Sequence, residues 1–138
     1  ASAAEAVVAE MEGRGIRPDV FLFSSLLKTQ RGEGLTRTWD AMSAAGVEPD
    51  AVAFSIMLAA LARRMEPGSA ATALLGRVLH ALRPRHVNGY VLSAGASAIT
   101  ELGPRGSARQ LAMLDALASL ARRGTTVELA RFPCKRVG

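Results

Sequence analysis

The chain has 138 residues, 49% of them hydrophobic, 21% charged and 4% aromatic, which suits one domain with its own core. A single cysteine, Cys134, excludes a disulfide scaffold, and the moderate charge does not fit a disordered chain. The longest mostly apolar run, Ala51 to Ala62, stops at Arg63 and Arg64, short of the roughly 20 residues that cross a bilayer. The first ten residues carry Glu5 and Glu10 and do not read as a signal peptide. Lys and Arg outnumber Asp and Glu 17 to 12, and only Lys28 and Lys135 are lysines. So arginine-rich a chain permits a nucleic-acid partner, because the guanidinium suits phosphate and stacks on bases. Abundant Ala, Gly and Arg together are also what a GC-rich genome produces.

Ser2 and Glu5 have the spacing of a capping box, so the chain opens on a helix, the second of a preceding unit. Met11, Gly15, Ile16, Pro18 and Asp19 then return as Met42, Gly46, Val47, Pro49 and Asp50, an offset of 31 residues. The same shift places Phe23 on Phe54, Ser24 on Ser55 and Leu27 on Leu58, with Leu26 on Met57 and Val8 on Trp39 as conservative matches. An ordered set of this kind marks a repeat protein. Within a unit, Phe23, Leu26 and Leu27 give one apolar helix face, and Leu35, Trp39 and Met42 give the next. Gly32 and Gly34 separate the two helices. Gly46 ends the second, Pro49 prevents its continuation, and Asp50 restarts the pattern.

Further along, Val52 to Arg64 reads as a helix with Phe54, Met57, Leu58 and Leu61 inward, broken by Pro67 and Gly68. Ser69 is placed as the N-cap of a helix bearing Leu74, Leu75, Val78, Leu79 and Leu82. After Arg83, Pro84, Arg85 and His86, Tyr90 is set where Phe23 and Phe54 stood. Ser107 with Gln110 opens a last helix through Leu111, Leu114, Leu117 and Leu120, which Gly124 ends. The expected fold is all-α, an α-solenoid of stacked helix–turn–helix repeats with about seven helices. Residues 1–124 form one domain (half repeat 1–19, repeats 20–50, 51–86 and 87–124), and 125–138 form a basic tail.

These residues carry a family resemblance. Phe23 to Leu27, then Trp39 to Met42, then Gly46 to Asp50 resemble the pentatricopeptide repeat. Its motif has an aromatic early in the first helix, an aromatic–x–x–Met in the second, and Gly-(Ile/Val)-x-Pro-Asp at the junction. The specific match covers residues 8–58 and is compatible from there to about 124. The resemblance implies a superhelix whose first helices line a concave surface binding single-stranded RNA, in a mitochondrion or plastid. The residue after the first-helix aromatic reads the base, helped by the last residue of the unit. That maps to Ser24 with Asp50, Ser55 with His86, and Val91 with a residue near Thr126. Asp19 would be the last residue of the leading unit. Ser24 with Asp50 resembles a guanine-preferring pair, since a carboxylate accepts from the amino and imino groups that guanine presents. Ser55 with His86 is not a standard combination, and Val91 offers no hydrogen bond.

Each candidate has a simpler structural role as well. Asp19 and Asp50 follow proline and precede helices, as N-caps do. His86 lies beside Arg83 and Arg85, where a solvated imidazole is the default. Arg83, Arg85, Lys28 and Arg31 are the candidate phosphate contacts. His80, His86 and the distant Cys134 do not make a zinc site, and no nucleophile elbow or phosphate loop is present, so neither enzyme activity nor a cofactor is expected. Two functions follow: an organellar RNA-binding repeat protein, or a helical-repeat subunit bracing proteins and rRNA in an assembly such as the mitochondrial ribosome. Neither involves a membrane.

Overall fold

A computed structural model describes residues 3–103 and 105–131, with side chains between residues 4 and 123 of those ranges. Ser2, Cys134 and the side chain of Thr126 lie outside the described residues. Among the described residues the chain is all-helical, without a strand. Its helices are α1 (Ala3–Gly13), α2 (Val20–Leu27), α3 (Glu33–Ala44), α4 (Ala51–Arg64), α5 (Ser69–Ala81), α6 (Gly89–Leu102) and α7 (Ala108–Arg131). A 3-10 turn, Pro84–His86, leads into α6.

The joints between helices repeat. Gly15 and Gly46 both take a φ of 73°, the left-handed conformation that a side chain disfavours. The next N–H folds back in each case, Ile16 to the Met11 carbonyl at 2.8 Å and Val47 to the Met42 carbonyl at 3.1 Å. These closures satisfy carbonyls that the helix end leaves open. The following aspartates then cap the next helix. Asp19 accepts from the Leu22 N–H at 2.9 Å and Asp50 from the Ala53 N–H at 2.8 Å. A third cap, Asn88, accepts from the Val91 N–H at 2.9 Å and starts α6. Sequence inspection passes over Asn88 because neither the junction glycine nor an adjoining proline precedes it.

Three helix ends differ from expectation. Gly68, not Ser69, occupies the cap position of α5, and no side chain bonds there. Gly34 lies within α3, leaving Gly32, with φ 57°, to make the turn. Helix α7 continues past Gly124 to Arg131. One helical glycine costs about 1 kcal/mol relative to alanine and does not stop a helix, and no proline follows until Pro133. At the start of α7, Ser107 accepts from the Gln110 N–H at 3.1 Å as expected. The Gln110 amide oxygen instead accepts from Gly106, at 3.0 Å.

Helix α4 lies between α2 and α6, and α1 packs on α3. An Arg77–Asp40 ion pair joins α5 to α3, and α5 and α7 wall one groove. The even-numbered helices therefore adjoin one another, whereas among the described residues of the odd-numbered ones close packing is confined to α1 and α3. A continuous core runs between them from Val8 to Leu117. Phe23, Leu27, Leu35, Phe54 and Leu58 are fully buried within it, each worth about 1.5–3 kcal/mol of transfer free energy. Thr38, also fully buried, donates its hydroxyl to the Gly34 carbonyl at 2.8 Å, so its polar group is not stranded. The architecture is helical and repeat-like.

Candidate nucleic-acid interface

The three caps Asp19, Asp50 and Asn88 give a common register for α2, α4 and α6. Two residues after each cap stand Phe21, Val52 and Tyr90, exposed by 79%, 58% and 80%. Four residues after stand Phe23 and Phe54, fully buried, and Leu92, half-buried against the core. Five residues after stand Ser24, Ser55 and Ser93. Tyr90 therefore corresponds to Phe21 and Val52, not to the buried aromatics with which the sequence alignment placed it. Ser93, not Val91, is the counterpart of Ser24 and Ser55. Val91 is fully buried and has no surface to offer a ligand.

Between α4 and α6 runs an open groove of about 700 Å³, lined by Ser55, Ala59 and Arg63 on one side and Tyr90, Ser93 and Ser97 on the other. Small side chains keep its floor low. Ser55 donates its hydroxyl to the Val52 carbonyl at 2.9 Å, which leaves its oxygen lone pairs able to accept a further donor. Arg63, Tyr90 and Ser93 are exposed. Phe21 and Ser93 escape the sequence reading because it counts from aromatics, whereas helix phase is set by caps.

The other candidates are scattered. Ser24 is only 9% exposed on α2. Asp19 and Asp50 are exposed caps, each spending a carboxylate oxygen on a backbone N–H. A carboxylate has about four acceptor sites, so the cap leaves capacity for a second donor. His86 is 8% exposed, in the core and not in solvent as its loop position suggests. Its ring lies 4.7 Å from that of Phe54, and its Nδ1 accepts from the Arg83 N–H at 3.0 Å. Burial lowers the His86 pKa, and the nearby Arg85 and Arg83 charges lower it further.

The four candidate phosphate contacts do not form one patch. Arg83 donates to the His80 and Leu82 carbonyls at 3.1 and 3.4 Å, and Arg85 lies 3.6 Å from the Glu48 carboxylate. Arg83 precedes the 3-10 turn and Arg85 lies within it. Lys28 and Arg31 are exposed after α2 and enter no ion pair among the described residues. Other arginines bridge elements: Arg37 reaches Glu5 at 4.0 Å, and Arg64 donates to the Leu27 carbonyl at 3.3 Å.

The helices, then, bring together a serine-lined groove, a row of exposed apolar residues at helix starts, and Arg63. Comparison of the chain with family models, curated proteins and solved structures gave no match.

Proposed function

We propose that the protein binds single-stranded RNA on the face formed by α2, α4 and α6, as a helical-repeat solenoid of the pentatricopeptide kind. The observation that carries this reading is the recurrence, on three adjoining helices, of an exposed apolar residue and a serine at fixed distances from a cap. Phe21, Val52 and Tyr90 offer surfaces on which successive bases stack, a contact worth about 1–3 kcal/mol per base. Ser55, its proton held by the Val52 carbonyl, accepts at base edges in the groove, and Ser93 accepts or donates there. Arg63, Lys28 and Arg31 meet the phosphates. Asp50 keeps a lone pair for a base amino or imino group, which favours guanine. The resemblance brings with it a mitochondrial or, as the alternative, a plastid location.

A binding role is supported over a catalytic one by where the reactive groups lie. The His86 imidazole packs on Phe54 and accepts from the Arg83 N–H, and it is not among the residues that line the groove. One observation favours the architectural alternative, a brace within a ribonucleoprotein such as the mitochondrial ribosome. Arg37, Arg64, Arg77, Arg83 and Arg85 are all engaged within the chain itself.

Fluorescence anisotropy with short single-stranded RNAs tests the proposal. Tyr90→Ala and Phe21→Ala should each weaken binding about tenfold, near 1.4 kcal/mol, without loss of helicity. Affinity should fall by roughly 0.7 log units per phosphate contact per log unit of salt. Asp50→Asn, which keeps a capping oxygen, should shift preference from guanine toward adenine by about 1 kcal/mol. Unchanged affinity in both aromatic variants would remove the stacking surface. No binding at about 50 mM salt would favour the brace.

A further inference from the structure

We propose that the groove between α5 and α7 docks an acidic amphipathic helix of a partner protein. This groove, of about 540 Å³, is separate from the α4–α6 groove and does not depend on the RNA reading. Gly76, Ala116 and Ser119 line it with small side chains, and Leu79, Met113 and Leu120 line it with apolar ones. Gly76 carries the argument. It lies inside α5, where glycine weakens a helix relative to alanine, and its φ is not in the left-handed region. A Cβ placed on it would meet nothing within 4 Å. Among the described residues, neither packing nor backbone geometry requires glycine at this position. What its missing side chain leaves is an open furrow for a ridge brought from outside.

Charge selects the ridge. His80, Arg83 and Arg123 line the groove, all three exposed, and among the described residues no carboxylate does. The grooves between the preceding odd-numbered helices differ: Glu5 and Glu12 line the one between α1 and α3, and Glu33 and Glu66 the one between α3 and α5. The α5–α7 groove thus has a basic rim, with no carboxylate among the described lining residues, around an apolar floor. A helix with leucines at i, i+4 and i+7 and carboxylates on its flanks matches both parts. An RNA strand would satisfy the rim but set charged backbone over Leu79, Met113 and Leu120.

The test uses the full chain and a labelled synthetic peptide of about four helical turns, leucines on one face and glutamates beside them. The control peptide has lysine in place of each glutamate. The Glu peptide should bind at least about tenfold more tightly than the Lys peptide. Gly76→Leu fills the furrow in a position with open space, and should weaken the Glu peptide about tenfold with unchanged helicity. Arg123→Glu, on the exposed rim, should weaken it severalfold and gives the same comparison if Gly76→Leu does not fold. Equal binding of both peptides, or binding indifferent to both substitutions, overturns the proposal. So does loss of affinity for a single-stranded RNA in these variants without any peptide binding. Sedimentation showing a dimer that Gly76→Leu dissociates would assign the groove to a second copy and equally overturn it.

Discussion

The ring of His86 lies 4.7 Å from Phe54, which lies 5.6 Å from Trp39, so rings from α3, α4 and the 3-10 turn meet in one run. That contact needs the imidazole neutral: its Nδ1 faces the Arg83 N–H, and a proton there would set donor against donor. Burial and the charges of Arg85 and Arg83 lower its pKa below 6.5, while Glu48 and Asp50 pull the other way without reversing it. The unfolded chain therefore binds this proton more tightly. The stability contributed by the neutral ring is complete above about pH 6.5 and is lost as pH falls through the lowered folded value. His86→Phe keeps an aromatic face but removes the acceptor and the titration. It should cost about 1 kcal/mol near neutrality, from the unpaired N–H. Its stability should then fall less than that of the wild type between about pH 7.5 and pH 5, read by urea unfolding. Parallel pH curves would place the protonation of His86 outside the core. Sequence could not show this burial, because the loop carrying His86 contains two arginines and its packing partner Phe54 lies 32 residues away. Asp19 and Asp50 were legible as caps for the opposite reason: a cap acts on the N–H three residues ahead.

The last two residues of α4 have separate fates, although both read in sequence as cations closing a helix. Arg64 turns back to the end of α2, donating to the Leu27 and Lys28 carbonyls, while its own carbonyl accepts the Gly32 N–H at 2.8 Å. It therefore ties α4 to both the end of α2 and the start of α3. Arg63 instead lines the serine groove. Arg64→Ala should lower stability by roughly 1–2 kcal/mol, the scale of charge-assisted hydrogen bonds that are partly exposed. Arg63→Ala should stay within about 0.5 kcal/mol of wild type, as surface substitutions do, and weaken RNA binding. Thermal unfolding and anisotropy on the pair separate the two roles, and equal destabilisation would contradict the assignment. Whether a cation faces its own helix end or a neighbour's depends on helix phase, which sequence gives only to within a residue or two. The same uncertainty explains Tyr90. Anchoring on aromatics puts it two positions out, since the interval from Asp50 to Asn88 is longer than that from Asp19 to Asp50 and the extra length falls before α6.

Across the molecule, stability is unevenly distributed because each helix answers mainly to its neighbours. Helix α4 packs against α2, α3, α5, α6 and the 3-10 turn, and contributes Phe54, Met57, Leu58 and Leu61 to the core at full burial. Helix α1 packs chiefly on α3 and contributes Ala4 and Val8. Comparing repeat-equivalent positions makes the difference concrete: Thr38 on α3 is fully buried, whereas Val7, 31 residues earlier on α1, is 41% exposed. Helix α7 is similarly open on one side, with Leu111 61% exposed and Leu117 its one fully seated side chain among the described residues. Where each helix is held mainly by its neighbours, local opening free energy follows those contacts, so the ends should open without the middle. Native-state amide exchange should therefore be slowest in α4 and fastest in α1, with protection differing by about 2 kcal/mol or more in opening free energy. Leu58→Ala supplies the complementary measurement. Leu58 is fully buried and also lies against Gly95, where an added Cβ would sit 3.7 Å from its Cδ1 and 3.1 Å from Leu117 Cδ2. Truncating it leaves a cavity where α4, α6 and α7 meet, and should cost roughly 2–5 kcal/mol. Because that junction links the middle of the chain to its last helix, exchange should quicken in α4, α6 and α7 together and least in α1. Equal acceleration in all helices would mean that the chain opens only as a whole, and that its repeats do not act as separable units of stability.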